Sequence, residues 1–159
     1  MASIERLRAD HADRLLAFER ENREYFAASV PDRGDAYFAE FAQQLQARLA
    51  EQDAGVCRFH LVVDVDGAVL GRVNLLDLAD GAAELGYRIA KRAAGRGLAT
   101  EAVRQVCEVA RTAYRLSGLW AVTTLDNAAS RTVLARTGFE PTGELEVGGR
   151  PGIRYARQL

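Results

Sequence analysis

Residues 91–103 read KRAAGRGLATEAV, placing Arg92-x-x-Gly95-x-Gly97 directly before an apolar helical pattern. Glycines so spaced let the backbone turn successive N–H groups toward one point, and the first turn of a helix adds unpaired donors and the positive end of its dipole. That corner suits phosphate, with Arg92 and Arg96 at its rim. A plain strand-to-helix turn with solvated cations would satisfy the same local sequence. Other phosphate loops fit less well: GxxxxGK[ST] is absent, and in a dinucleotide fingerprint the third small position would be filled by Thr100.

Few other residues group into a chemical set. Cys57 and Cys107 are lone cysteines in apolar patterns and read as buried thiols, while His11 and His60 have no partner at ligand spacing, so no metal is expected. The chain has 159 residues, enough to bury a core without staples, and 21 Lys plus Arg balance 22 Asp plus Glu. That balance provides no field toward nucleic acid or membrane. Charges interrupt the apolar residues of the N-terminus and no long apolar run follows, so the expectation is a cytoplasmic protein.

The elements that must position the corner follow from periodicity. A short apolar stretch over 4–7 precedes Asp10, which is suited to cap a helix running to about Glu24, with Leu15, Leu16 and Phe18 on its buried side. SVPDRGD at 29–35 breaks the chain. A second helix is predicted from Asp35 to about Gln52, where Phe38, Phe41, Leu45 and Leu49 recur at three and four. The period then becomes two: VCRFHLVVD and AVLGRVNLL flank Asp66-Gly67, a hairpin signal. AELGYRI at 83–89 is a third strand that separates Leu85, Tyr87 and Ile89 from Glu84, Gly86 and Arg88. Beyond the corner, a helix over 98–114 carries the stripe Leu98, Ala102, Val106, Val109 and Ala113. LWAVTTL at 119–125 is a strand, DNAASRTVLARTG a short helix ending at Gly138, and FEPTGELEV with IRYARQL a closing antiparallel pair. The order β-α-α-β-β-β-α-β-α-β-β indicates an α/β (α+β) protein, one domain over 1–159, with helices on the faces of a mixed sheet.

ELGYRIAKRAAGRGLATEAV resembles the acetyl-CoA motif of the GNAT N-acetyltransferase superfamily, with its [RQ]xxGxG signature at Arg92, Gly95 and Gly97. LDNAASRTVLARTGFEPTGE is similar to the family's downstream motif, N-x-x-S, then a helix, then GF, at Asn127, Ser130, Gly138 and Phe139. The N-terminal helices and GAVLGRVNLLD resemble the branch containing the ribosomal-protein N-terminal acetyltransferases. The resemblance implies a mostly antiparallel central sheet and an acetyl-CoA-dependent transfer to a primary amine. The acceptor would be a protein N-terminal α-amino group, or a small amine such as an amino acid, polyamine or antibiotic; a non-catalytic acyl-CoA-binding module is the rival from another class.

It also implies where the cofactor lies. The strands at 83–89 and 119–125 would diverge, pantetheine pairing with backbone near Ile89 and the diphosphate resting on N–H groups from Arg92 through Gly95, Arg96, Gly97, Leu98, Ala99 and Thr100. Asn127 would hold the pantetheine amide, with Asp126 free to cap the helix, and Ser130 matches the branch's serine beside the leaving sulfur. Many relatives place a tyrosine in that helix, and none is present here. Glu84 is the candidate base, since it faces away from the apolar side of its strand; a solvated carboxylate is the plainer reading, and Asp77 and His60 are weaker candidates. Tyr25, Phe26, Tyr37 and Phe38 would line the acceptor slot or pack as core, and Asp32, Asp35 and Glu40 would meet a cationic amine or simply be solvated. A monomer or a homodimer is expected.

Overall fold

A computed structural model describes residues 2–159. Seven strands form one sheet in the order β1-β2-β3-β4-β5-β7-β6: β1 Ser3–Arg6, β2 Arg58–Val63, β3 Val69–Ala79, β4 Ala82–Ile89, β5 Gly118–Thr124, β6 Glu140–Val147 and β7 Arg150–Gln158. Every neighbouring pair is antiparallel except β4 and β5. The helix α5 (Leu98–Thr112) links those two parallel strands, and α6 (Ala128–Arg136) follows β5. The expected mixed, mostly antiparallel sheet and element order are therefore present.

Burial follows strand alternation. Phe59, Leu61 and Val63 of β2 pack with Leu15, Phe18, Phe41 and Leu45 of the N-terminal helices, whereas Val62 packs with Val103, Val106 and Leu134 on the opposite face. Helices on both sides thus explain why β2 is apolar at consecutive positions. The hairpin at Asp66-Gly67 forms as expected, and Asp80-Gly81, a second pair of the same type, joins β3 to β4 with both residues at positive φ (53° and 77°).

Several boundaries differ from the periodic reading. The first helix breaks at Asn22 into α1 (Ala12–Glu21) and α2 (Arg23–Ala27). The Asn22 side chain donates to the Phe18 carbonyl (2.9 Å) and accepts from the Lys91 amide (2.9 Å), which ties the end of α1 to the chain leaving β4. Asp10 lies in a 3-10 turn, Ala9–His11, and pairs with Arg8. The second helix breaks at Glu40 into α3 (Asp35–Ala39) and α4 (Phe41–Asp53), with Tyr37 edge-on to Phe41. In α5 the buried band is Ala102, Val103, Val106, Cys107 and Ala110, rotated from the predicted stripe so that Ala113 is exposed. The rotation reflects two partners, since α5 packs against both the sheet and α6. Both cysteines are free and buried. Among the described residues, no helix is long and apolar enough to cross a membrane.

His60 lies on the α5 side of β2, with one ring nitrogen 3.1 Å from the Val73 carbonyl and the other 2.6 Å from the Tyr114 hydroxyl. Burial, opposed by the bond to Val73, lowers its pKa to about 4. This ring is part of the core and does not serve as a base. Its folded pKa is below the unfolded value of about 6.5, so its stabilisation is complete above that pH and is lost as pH falls through about 4. His60→Gln should therefore lose its penalty by roughly 3 kcal/mol between pH 7 and pH 4, measured by urea unfolding. A penalty independent of pH would contradict the assignment.

Candidate functional site

Two strands that begin as partners separate to make the site. Pairing of β4 with β5 covers three rungs, Ala82↔Gly118, Ala83↔Leu119 and Glu84↔Trp120, and then ends. From there β4 stays with β3 as far as Ile89, while β5 stays with β7 as far as Thr124. Ala90 donates to the Leu70 carbonyl on β3. Because backbone groups alternate sides along a strand, those of Leu85, Tyr87 and Ile89 face the gap. A cleft of about 720 Å³ fills the opening, walled by residues 85–88, by 121–124, by Asn127, Ser130 and Leu134 of α6, and by the 27–31 segment with Arg33.

At the wide end the chain leaves β4 through a 3-10 turn, Lys91–Ala93, anchored by Asn22, and enters α5. Gly95 and Gly97 both take φ of 75°, a left-handed conformation that favours glycine; a Cβ at either would meet nothing within 4 Å. Gly97 is the residue preceding α5, whose first backbone bond runs from the Glu101 amide to the Gly97 carbonyl. None of the amides of residues 95–100 donates to another described residue. Six donors thus stand together at the positive end of a 15-residue helix. Arg92 and Arg96 are exposed beside them, and Arg96 donates to the Arg92 carbonyl.

The structure brings Asn127 and Ser130 to the cleft wall but alters one expectation. Asn127 itself caps α6, its Oδ1 accepting from the Ser130 amide at 3.1 Å, while Asp126 pairs with Arg150. The Asn127 amide nitrogen remains available as a donor. Glu84 occupies the last paired rung at the vertex, half-buried and outside the cleft wall. Burial and then the Asp77 charge push its pKa above the ordinary carboxylate range, against the pull of Arg154. Asp77 is exposed at a bulge in β3, at φ 54°.

Three residues escaped sequence reasoning. Tyr87, assigned there to the apolar side, lines the cleft close to the Ser130 side chain; burial raises its phenol pKa, and Ser130 offsets part of that rise. Arg33 and Arg88 also line it. Both surround Glu19, a carboxylate only 1% exposed: Arg33 contacts it at 3.0 Å, Arg72 at 2.6 Å and Arg88 at 3.9 Å. Burial raises the Glu19 pKa, but the Arg72 and Arg33 charges outweigh it and the net shift is downward. Asp32 and Asp35, the expected receivers of a cationic amine, both bind Arg23 at 2.8 Å and do not line the cleft; neither does Glu40. Phe26 packs in the core against Phe18, whereas Tyr25 is exposed. Arg23 stacks over Phe38, and Tyr37 accepts from Arg72.

Comparison with known proteins agrees with this geometry. The family model described as an acetyltransferase (GNAT) domain matches residues 3–140. The probable N-acetyltransferase YjcK of Bacillus subtilis (strain 168) is 29% identical over 145 residues, covering 86% of this chain and 79% of its own. The crystal structure of ribosomal-protein-S5-alanine acetyltransferase from Vibrio fischeri superposes with a TM-score of 0.91 at 22% identity, covering 99% of this chain and 92% of that one. Spermidine N-acetyltransferase from Vibrio cholerae, solved with CoA and spermine, superposes with a TM-score of 0.80 at 17% identity, covering 99% and 95%. With the split sheet and the glycine corner in place, the chain belongs to the GNAT family and is an acetyl-CoA-dependent N-acetyltransferase.

Proposed function

We propose that this protein acetylates a primary α-amino group by direct attack on acetyl-CoA within a ternary complex, without an acyl-enzyme. The single observation that carries this reading is the set of unpaired amides at residues 95–100, which follow the diverging end of β4 and lie outside the cleft wall itself. Those amides, with Arg92 and Arg96, would hold the diphosphate; Ile89 and its alternate neighbours would pair with pantetheine, and Asn127 would donate to it. Acetyl-CoA supplies the activated acyl group and a thiol leaving group.

The chain's own residues then account for the proton movements. No Asp, Glu or His among the described residues lines the cleft. The amine must therefore arrive neutral or lose its proton through water to Glu84 at the vertex, whose raised pKa suits a base. An α-amino group, with a pKa of about 8, meets that condition far more readily than an alkylamine resembling lysine at about 10.4. The departing sulfur needs a donor, and the Ser130 hydroxyl backed by the Tyr87 phenol supplies one from the other wall. Tyr87 would thus occupy, from β4, the role that many relatives assign to a tyrosine in α6. Fold likeness extends both to an enzyme named for a ribosomal protein and to one named for spermidine, so the acceptor is read from the cleft. Alignment of reactants in this closed gap would provide much of the rate.

Acetyl-CoA at about 100 times its Kd should stabilise the wild type by about 2.7 kcal/mol. Gly97→Glu should abolish that thermal shift, because it places a side chain and a negative charge at the cradle; a retained shift would move the cofactor elsewhere. Glu84→Gln should lower kcat by about 10²-fold, leave the Kd for acetyl-CoA unchanged and remove an acid limb that lies above the ordinary glutamate pKa. An identical pH profile in both enzymes would exclude Glu84 as base. Tyr87→Phe should reduce kcat with an unchanged KM for acetyl-CoA, and full activity would assign the sulfur's donor to Ser130 alone.

A further inference from the structure

We propose that the acceptor carries a carboxylate beside its amine, and that Arg88 recognises that carboxylate. This rests on the α-amine reading above and adds the chemistry of the group next to the amine.

Asn74 and Arg88 share the β3/β4 face that looks toward the N-terminal helices, on the neighbouring rungs Asn74↔Gly86 and Arg72↔Arg88. Asn74 lines the cleft, with its Oδ1 shielded from the opening and without a hydrogen-bond partner. Opposite it Gly86 contributes no side chain, and a Cβ there would meet nothing within 4 Å. The space over Gly86 can admit the acceptor's amine. Two residues along the strand, about 7 Å away, stands Arg88.

Arg88 is free to bind an anion. Among the described residues its single carboxylate contact is Glu19 at 3.9 Å, beyond hydrogen-bonding distance, and Glu19 is already engaged by Arg33 and Arg72. Three guanidiniums therefore share one carboxylate, and two of them, Arg33 and Arg88, reach the cleft. The Arg88 guanidinium lies over the Phe26 ring, 5.1 Å from its centroid. The third cation in the wall, Arg150, is paired with Asp126. A polyamine would place a second ammonium against this uncompensated positive charge, whereas a carboxylate would neutralise it and accept a forked contact. The same positive wall disfavours the protonated form of the amine, so the cluster also helps to present a neutral nucleophile.

The carboxylate has two possible sources: the α-carboxylate of a free amino acid, or the side chain of an acidic first residue in a peptide. Thiol release from acetyl-CoA is measured with alanine against alaninamide, with a peptide beginning Asp against one beginning Asn, and with spermidine. The expected result, with kcat/KM referred to the neutral amine in each case, is a preference of about tenfold or more for the anionic member of one pair, as one charge-assisted contact supplies, with spermidine poorest. Which pair shows it identifies the source. Arg88→Gln should erase that preference and Arg88→Lys restore part of it, with KM for acetyl-CoA moved by neither. Equal use of both members of both pairs, or preferred use of spermidine, overturns the proposal.

Equilibrium binding of the same compounds to enzyme saturated with CoA separates recognition from chemistry. A binding preference without thiol release supports the Arg88 site and refutes the transfer reading. Thiol release with no preference in either assay refutes the Arg88 site and leaves transfer standing. Neither binding nor release refutes both.

Discussion

Three rungs of parallel pairing between β4 and β5 determine most of what this molecule can do. Beyond Glu84 each strand keeps an antiparallel neighbour on its outer side, β3 for one and β7 for the other, and antiparallel pairing is slightly the more stable per residue. The sheet's twist then carries the two halves apart. Beyond that point the backbone donors and acceptors on the inner edges of both strands have no neighbouring strand to pair with. An extended ligand with amides of its own can act as the missing strand. The opening therefore creates a requirement for pairing as well as a space.

The unpaired helix entrance extends the same logic. A helix of this length leaves its first amides unsatisfied wherever it begins, and here no side chain caps them. Two left-handed glycines stand among them, and Asn22 holds the approach by accepting from the Lys91 amide. A break in the first helix thus has a function, because the residue that interrupts it holds the corner in place. On the opposite face, Glu19 performs a comparable task for three arginines. Removing one partner from a buried ion cluster of this kind costs about 3–5 kcal/mol, so stability and the charge of the acceptor wall are maintained by the same group.

The motifs of the proposed cofactor site were legible in the sequence because they are local. Arg92, Gly95 and Gly97, and Asn127 with Ser130, lie within short segments whose spacing survives folding. Strand and helix identities followed from the change of period at residue 56, and the Asp80-Gly81 turn offered the same signal as Asp66-Gly67. The acceptor half was obscure because it is assembled across the sheet. Asn74, Arg88 and Arg33 come from β3, β4 and a loop, with Glu19 of α1 buried behind the two arginines, and only register and burial show that they come together. Asp32 and Asp35 had suggested an acidic slot, but Arg23 sits between them in space, a pairing that sequence distance conceals. Tyr87 was hidden for a related reason: alternation assigned it to an apolar face, and that face becomes a cleft wall once β5 departs.

A crystal structure of the complex with acetyl-CoA tests the central claim most directly. It should place diphosphate oxygens about 2.9 Å from amide nitrogens within residues 95–100, with the pantetheine amides paired to the inner edge of β4. A diphosphate bound elsewhere, with those amides still facing solvent and β4 and β5 zipped together past Glu84, would contradict it.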